Sequence, residues 1–321
     1  MNTVIVTHTG HRPYLEACLR RAVASAAGGR VVLLGDSANA TIGVGEHHSI
    51  DDPALRDDID GFREVYRQVS TAQDYTKERF WVERWFLIRN FLRRERLSGC
   101  LAIDSDVLLF CDVAEEAERF RPYAMTFGRW DAVRVVPHCN FINGLDGLES
   151  FCRYVLEVYR DPARLRRLAE INRKKFNLAW ISDMSLLAAW GATSGFPVGY
   201  LEDTVASGVA FDTCLDDTRG YVPCGFLPGI VRQWKKIVFR DGMPHGIVRS
   251  NRLVVPMRCL HYHGRMKLLL PRHAAGQEDD WSAARMLATE KFASYPGKVR
   301  LFRRTYVDPL VPAALRSRHD A

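Results

Sequence analysis

Apolar positions along this chain alternate between short continuous runs and helical stripes. Residues 3–7 (Thr-Val-Ile-Val-Thr) are a β-branched run, which predicts a first strand. After Pro13, the residues Tyr14, Leu15, Cys18, Leu19, Ala22 and Val23 recur at helical spacing, and Gly28-Gly29 closes that helix. Residues 30–34 read as a second strand, followed by a loop at Gly35-Asp36-Ser37. This is β-α-β, so a right-handed crossover onto a parallel pair is expected. A ligand would sit at the carboxyl ends of these strands, near Thr7-His8-Thr9 and Gly35-Asp36. Residues 39–75 are polar and irregular, with a short helix near residues 59–69. A longer helix is expected over residues 77–96. Trp81, Trp85, Ile88 and Leu92 make its apolar stripe, and Val82 and Phe86 widen it. Glu83, Arg89, Arg93 and Arg94 fall on the other side and read as a solvated face, while Arg84, next to the stripe's edge, is placed to point toward the strand tip at residues 104–106. Gly99 leads into residues 101–110, Leu-Ala-Ile-Asp-Ser-Asp-Val-Leu-Leu-Phe. The first three are apolar without alternation, the mark of a strand buried on both faces.

The second half is less regular. Residues 123–128 read as a strand, before a loop holding Trp130, His138, Cys139 and Asn140. Residues 148–159 read as a helix with Phe151, Tyr154, Val155 and Val158 inward, and residues 164–175 as a basic, solvated helix. Asp183 interrupts the apolar stretch Trp180-Ile181-Ser182-Asp183-Met184. Either Ser182 or Asp183 is an N-cap, or Asp183 is a carboxylate on the floor of a cleft. Residues 196–257 read as short strands and hairpins, with turns at Asp216-Asp217, Arg219-Gly220, Pro228-Gly229 and Asp241-Gly242. A further strand at residues 253–257 runs into Cys259-Leu260-His261-Tyr262-His263-Gly264-Arg265-Met266-Lys267. Beyond Pro271 the chain is helical at residues 281–292 and ends in a basic, apolar tail at residues 298–304.

Composition narrows the function classes. The chain has 321 residues, of which 47% are hydrophobic, enough for a sizeable core. No apolar run is long enough to span a bilayer, and residues 1–6 enter a strand without the pattern of a signal peptide. The eight cysteines are scattered, with no Cys-x-x-Cys; Cys18, Cys100, Cys152 and Cys259 read as reduced core residues. A cytoplasmic location is the simplest expectation. The net charge of +7 suits an anionic ligand or an anionic membrane surface. No nucleic-acid motif accompanies it, so nucleic acid is not an expected partner. The tail would allow peripheral contact with the inner face of a membrane.

Two stretches carry candidate chemistry. Asp104 and Asp106 stand together at a strand tip, where they repel each other and call for a divalent cation such as Mg²⁺ or Mn²⁺. The plain alternative is a polar turn in which one of them caps the next element. The other stretch is His261-x-x-Gly264-x-x-Lys267. An imidazole ligates metals, a glycine admits close backbone approach, and a lysine offers a point charge to phosphate. Each residue alone reads as surface; together, after Asp-Ser-Asp, they fit a metal-held diphosphate. No Gly-x-Gly-x-x-Gly follows the first strand, which disfavours a dinucleotide-binding domain. Leu108 and the late position of the aspartates set aside an Asp-x-Asp phosphatase of the haloacid-dehalogenase type.

On Asp104-Ser105-Asp106 and His261-x-x-Gly264-x-x-Lys267, the chain resembles the GT-A glycosyltransferases, and within them the family-8 type. The resemblance implies an α/β, Rossmann-related single domain, with a mixed, mainly parallel sheet flanked by helices. Residues 1–270 would form the nucleotide-sugar-binding catalytic domain, and residues 271–321 a helical, basic extension. It implies Mn²⁺ or Mg²⁺ held by Asp104, Asp106 and His261, and a nucleotide-diphosphate sugar, UDP by resemblance, as donor. Thr7, His8, Arg84, Asp104, Ser105, Gly264 and Lys267 would contact the donor, and Asp183 and Lys267 would serve catalysis. The acceptor would be a glycan or a lipid-linked sugar, in a setting such as bacterial surface-polysaccharide assembly. The His-Gly-Lys motif resembles the retaining group. Three departures stand out: Leu268-Leu269 replaces the usual Pro-Trp, Met184 the usual Gln, and Phe-Asn-x-Gly is absent, with Asn140 or Asn143 in its place. A non-catalytic sugar-nucleotide or glycan-binding protein on the same scaffold is the alternative.

Overall fold

β1 (Thr3–His8) pairs in parallel with β2 (Arg30–Gly35), and α1 (Pro13–Ser25) connects them, as the hydrophobic pattern predicts. The computed structural model describes residues 2–70, 73–177, 179–224, 233–279 and 281–293. Pro13 starts α1, where its missing N–H costs nothing. β3 (Glu46–Ser49) then adds in parallel to β2. Its sequence, Glu-His-His-Ser, has no apolar signal, and this strand lies in the stretch expected to be irregular. α2 (Ile59–Val65) is shorter than expected. α3 (Tyr75–Arg94) carries the chain back across the sheet, capped by Asp74, whose side chain accepts from Lys77 N. β4 (Cys100–Ile103) then pairs with the other side of β1, again in parallel.

The strand order is therefore β3-β2-β1-β4, and it reverses between β1 and β4. In an open α/β sheet, the carboxyl ends of the two strands at such a reversal border a crevice, because their connections leave in opposite directions. β1 ends at His8, and Asp104 follows β4 directly.

β5 (Val107–Leu109), α4 (Val113–Phe120), β6 (Met125–Arg129), β7 (Val135–Val136) and β8 (Cys139–Ile142) come next. β8 pairs antiparallel with β4 and β6, and completes a mixed sheet with mainly parallel strands. α5 (Leu145–Arg160), α6 (Pro162–Phe176) and α7 (Asp183–Thr193) follow, then β9 (Val198–Tyr200), parallel to β6. β10 (Ala210–Phe211), β11 (Ile237–Arg240), β12 (Met243–Ile247) and β13 (Val254–His261) form a smaller second sheet, which β5 joins through β13. α8 (Leu270–Ala274) and α9 (Trp281–Ala293) finish the described chain.

Alternate residues of the first sheet face two helical layers in one domain. Ile5, Val32, Leu34 and Ala102 pack with residues of α3, α5 and α7. Val4, Val6, Leu33, Leu101 and Ile103 pack with α1 and α4. Burying each such Val, Ile or Leu contributes roughly 1.5–3 kcal/mol. A third core lies under the second sheet and includes Ala283, Ala284 and Leu287 of α9. The tail at residues 298–304 lies outside the described residues.

α3 corrects one expectation. Its polar side is covered in part: Glu83 and Arg89 are buried, with Asn90 beside them, whereas Arg93 is exposed and Arg94 half-buried. The loop before α2 lies against it. Arg89 Nη1 donates to Asp58 Oδ2 at 2.9 Å, and Asn90 Nδ2 donates to Leu55 O at 2.7 Å. Polar residues on a helix read as surface from periodicity alone, and only the chain that covers them reveals otherwise. The four cysteines expected in the core, Cys18, Cys100, Cys152 and Cys259, are buried there as free thiols.

Candidate active site

Asp104-Ser105-Asp106 is the turn by which the chain leaves the first sheet and enters the second. β4 ends one residue before it, and β5 begins one residue after it. β5 pairs antiparallel with β13, with His261 opposite Val107, and Tyr262 N donates to Asp106 O at 2.9 Å. That register carries His261 alongside the aspartates from 155 positions further along the chain. Ligand atoms of Asp104, Asp106 and His261 all lie within 4.8 Å of one another. Neither aspartate caps a helix; the cap of α4 is Asp112.

The imidazole is oriented for ligation. His261 Nδ1 is 2.7 Å from Thr213 O, and a carbonyl only accepts, so Nδ1 carries the hydrogen. Nε2 is left facing the carboxylates, 3.7 Å from Asp106 Oδ1. Such a second hydrogen bond fixes the tautomer and orientation of a ligating histidine. Asp212, buried, fixes the backbone as well: its Oδ2 accepts from His261 N at 3.0 Å. Its Oδ1 accepts from the buried Lys235 Nζ at 2.5 Å, so the two buried groups are paired. His138 stacks on His261 with ring centroids 4.8 Å apart. Burial first, then the neighbouring His261, push the His138 pKa well below its usual value, so it is neutral there.

Gly264 has φ +57°, in the left-handed region that favours glycine, and starts a short 3-10 turn over Gly264–Leu269. The turn folds Lys267 back over the strand end, where its Nζ lies 2.8 Å from Asp106 Oδ2 and 3.5 Å from Tyr14 Oη. Burial works against charge on Asp106, but His261 and Lys267 outweigh it and hold its carboxyl below the usual range.

Arg84 sits beneath the tip of β4 and bridges two carboxylates. Nη1 donates to Asp104 Oδ1, and Nη2 donates to Asp183 Oδ2 at 2.7 Å. Trp85 Nε1 also donates to Asp183 Oδ2, at 3.3 Å. Asp183 is the first residue of α7 and is not its cap; Ser182 takes the N-cap position, and its N–H donates to Ser185 Oγ at 3.2 Å. Burial pushes the Asp183 carboxyl above its ordinary value, against the pull of Arg84. Two further carboxylates, Glu202 and Asp203, point elsewhere: Glu202 Oε1 accepts from Thr213 Oγ1 at 2.5 Å, and Asp203 is exposed and 3.7 Å from Arg129.

His8 and Ser105 close the crevice from the β1 side, with Ser105 Oγ and His8 Nδ1 2.9 Å apart. Burial, then the Lys267 charge, lower the His8 pKa to about 4, so its imidazole is neutral. Thr7, Arg84, Ile103, Asp104 and Asn140 line a small cavity there. Asn140 Oδ1 and His8 Nε2 are buried without a hydrogen-bond partner among the described residues. Buried polar atoms are nearly always satisfied, so both call for a polar ligand or ordered water. Asn143, in contrast, is structural: its Nδ2 donates to Phe120 O and Tyr123 O.

Sequence reading missed Asp212, Thr213, Lys235 and His138 as supports of the site. None lies in a motif: Asp212, Thr213 and Lys235 come to His261 from the segments around the second sheet, and His138 from the first sheet, just before β8. Asp212 beside Thr213 just before the Asp216-Asp217 turn was the available signal, and it is a weak one.

No protein-family model and no curated protein matches this sequence. Among solved structures, the chain is similar to mouse xyloside xylosyltransferase 1, apo form, with TM-score 0.44 and 12% identity, covering 63% of this chain and 85% of that one. It is also similar to the galactosyltransferase LgtC in complex with donor and acceptor sugar analogues, with TM-score 0.42 and 10% identity, over 89% of this chain and 100% of that one. The glycosyltransferase GlyE of Streptococcus pneumoniae TIGR4 gives TM-score 0.38 and 13% identity, over 91% of this chain and 63% of that one. Likeness at this level is too slight to assign residues, and the chemistry of the site rests on its own groups.

Proposed function

We propose that the chain is a metal-dependent glycosyltransferase of GT-A type that transfers one sugar from a nucleotide-diphosphate donor, UDP by resemblance, to a glycan or lipid-linked acceptor. The observation that carries this reading is the convergence of Asp104, Asp106 and His261 at the reversal of strand order, with Lys267 beside them. Two carboxylates and one imidazole are donors that suit Mn²⁺, and Mg²⁺ less well. When bound, such an ion neutralises a diphosphate and so supports its departure. Lys267 adds a point charge on the same side, and Gly264 lets the backbone approach a phosphate. Thr7, His8 and Ser105 line the crevice for the nucleotide, and Asn140 Oδ1 offers an acceptor to a donor hydroxyl. Residues 1–270 carry this machinery in the proposal, and the remainder is an extension. A cytoplasmic site of action is compatible with the described helices, none of which is long and apolar enough to cross a membrane.

The direct test is a donor screen by mass spectrometry with Mn²⁺ present, scoring hydrolysis and transfer for each sugar nucleotide. Failure of every donor to bind or react would refute the reading. Donor binding without turnover would favour a binding protein on the same scaffold.

Lys267→Ala is expected to lower turnover by roughly 10²-fold, the order for losing one preorganised electrostatic contact to developing charge. Steady-state kinetics with unchanged kcat would return Lys267 to a purely structural pairing with Asp106.

Asp183 is proposed as a positioning residue. Its Oδ2 is committed to Arg84 and Trp85, which leaves it poorly suited to take an acceptor proton. That arrangement agrees with retention of configuration. Asp183→Asn is then expected to reduce kcat without moving the pH profile, because no titrating base is lost. An α-linked donor that yields a β-linked product by NMR, or a lost acidic limb of the pH–rate profile in the variant, would restore Asp183 as the base of an inverting reaction.

A further inference from the structure

A second group of ligating side chains begins two residues beyond His261. Ligand atoms of Cys214, Asp216 and His263 lie within 4.8 Å of one another. Among the described residues, this group and the Asp104 group are the two sets of three or more such side chains. The scaffold is rigid. Asp212 N donates to Cys259 O at 3.3 Å and Leu215 N to His261 O at 2.9 Å, which fixes the register of the two segments. Lys235 Nζ donates to Cys214 O at 2.6 Å, and Lys235 N to Leu215 O at 2.8 Å. A turn closed by Asp217 N on Cys214 O, at 3.0 Å, folds Asp216 back beside Cys214. Cys214 Sγ donates to Asp216 Oδ1 at 2.8 Å. Cys214 and Asp216 are buried and His263 is exposed, so the group has a closed floor and one side open to solvent.

We propose that Cys214, Asp216 and His263 form a second metal site, selective for Zn²⁺, with a coordination position open to an outside ligand. The chemistry of the donors differs from that of the first site in one respect that decides the ion. Asp104, Asp106 and His261 offer oxygen and nitrogen only, whereas Cys214 adds a thiolate, which favours Zn²⁺ strongly over Mg²⁺ and Mn²⁺. Three protein ligands from Cys, His and carboxylate is the number at which zinc keeps its fourth position free. Binding replaces the Cys214 S–H bond by a sulfur–metal bond, and the proton leaves to solvent. The two sites share the strand end that carries His261 and His263, so one chain sorts two kinds of ion by ligand softness. This inference does not depend on the transfer reaction.

Co²⁺ is the probe, since it takes zinc geometries and a cobalt–thiolate bond absorbs in the near ultraviolet. The full chain, kept reduced with a non-chelating phosphine, is titrated with Co²⁺. A saturable thiolate-to-cobalt band is expected, and added Zn²⁺ should bleach it. The band should persist in Asp106→Asn, which damages only the first site, and vanish in Cys214→Ser. His263→Ala, at an exposed position that cannot disturb the core, should weaken Co²⁺ binding by at least about 10-fold, no less than the loss of an outer-shell support. A folded wild type with no band, or unchanged affinity in His263→Ala, would overturn the site.

Discussion

Asp106→Asn is expected to lower turnover by at least about 10³-fold, the upper end for one preorganised electrostatic contact. The upper end applies because Asp106 has two duties. It supplies one of three ligand atoms, and its Oδ2 accepts from Lys267 Nζ at 2.8 Å. An asparagine keeps the shape but carries no charge, so the cation loses a ligand and Lys267 loses its anchor in the free protein. The fold should survive, because Lys267 is 34% exposed and recovers its solvation. Calorimetric titration of the donor with Mn²⁺ is the measurement. Wild type should bind, binding should vanish in excess chelator and return with Mn²⁺, and the variant should show none of this at the same concentrations. Full activity of wild type in excess chelator would remove the metal from the reaction.

The parts of this protein that were legible in its sequence are those whose signal is local. β1, α1 and β2 follow from a β-branched run, a helical stripe and a glycine pair. The tip at Asp104 is readable because a buried apolar strand that ends in two carboxylates demands a partner. His261 and Lys267 are readable because glycine separates them at a spacing that one tight turn closes. β3 was not legible, since Glu46-His47-His48-Ser49 lies at the sheet's edge and its side chains are not fully buried. The burial of Arg89 and Asn90 was not legible either, as it depends on residues more than 30 positions earlier that fold over α3. Lys235 reads as one basic residue among many, until the second sheet places it on Asp212.

Arg84 was legible in part and yields the second large effect. Its place at the stripe's edge turns it toward the Asp-Ser-Asp tip, where it meets Asp104; that it also holds Asp183, far along the chain, shows only in the fold. Arg84→Met is expected to destabilise the fold at neutral pH by about 3–5 kcal/mol, the cost of leaving a buried ion pair half broken. Asp104 bears little of this, since its side chain is 24% exposed and water can reach it. Asp183 bears most, since its side chain is 5% exposed. The pH dependence has a definite sign. Burial, with help from Asp104, already raises the Asp183 pKa above its ordinary 3.8, and Arg84 opposes the rise. A carboxyl with a raised folded pKa binds more protons folded than unfolded, so stability falls as pH rises from the unfolded value through the folded one. Removing Arg84 lifts the folded value further and widens that window upward. The stability difference between wild type and Arg84→Met should therefore be largest at neutral pH and shrink as acid protonates Asp183. Urea unfolding at several pH values measures it. Adding Asp183→Asn to Arg84→Met should recover much of the loss, because the stranded charge is gone, and the two substitutions should be strongly non-additive. Additive effects, or a difference that does not change with pH, would mean that Arg84 holds α3 by packing on Trp85 and not by pairing the two carboxylates.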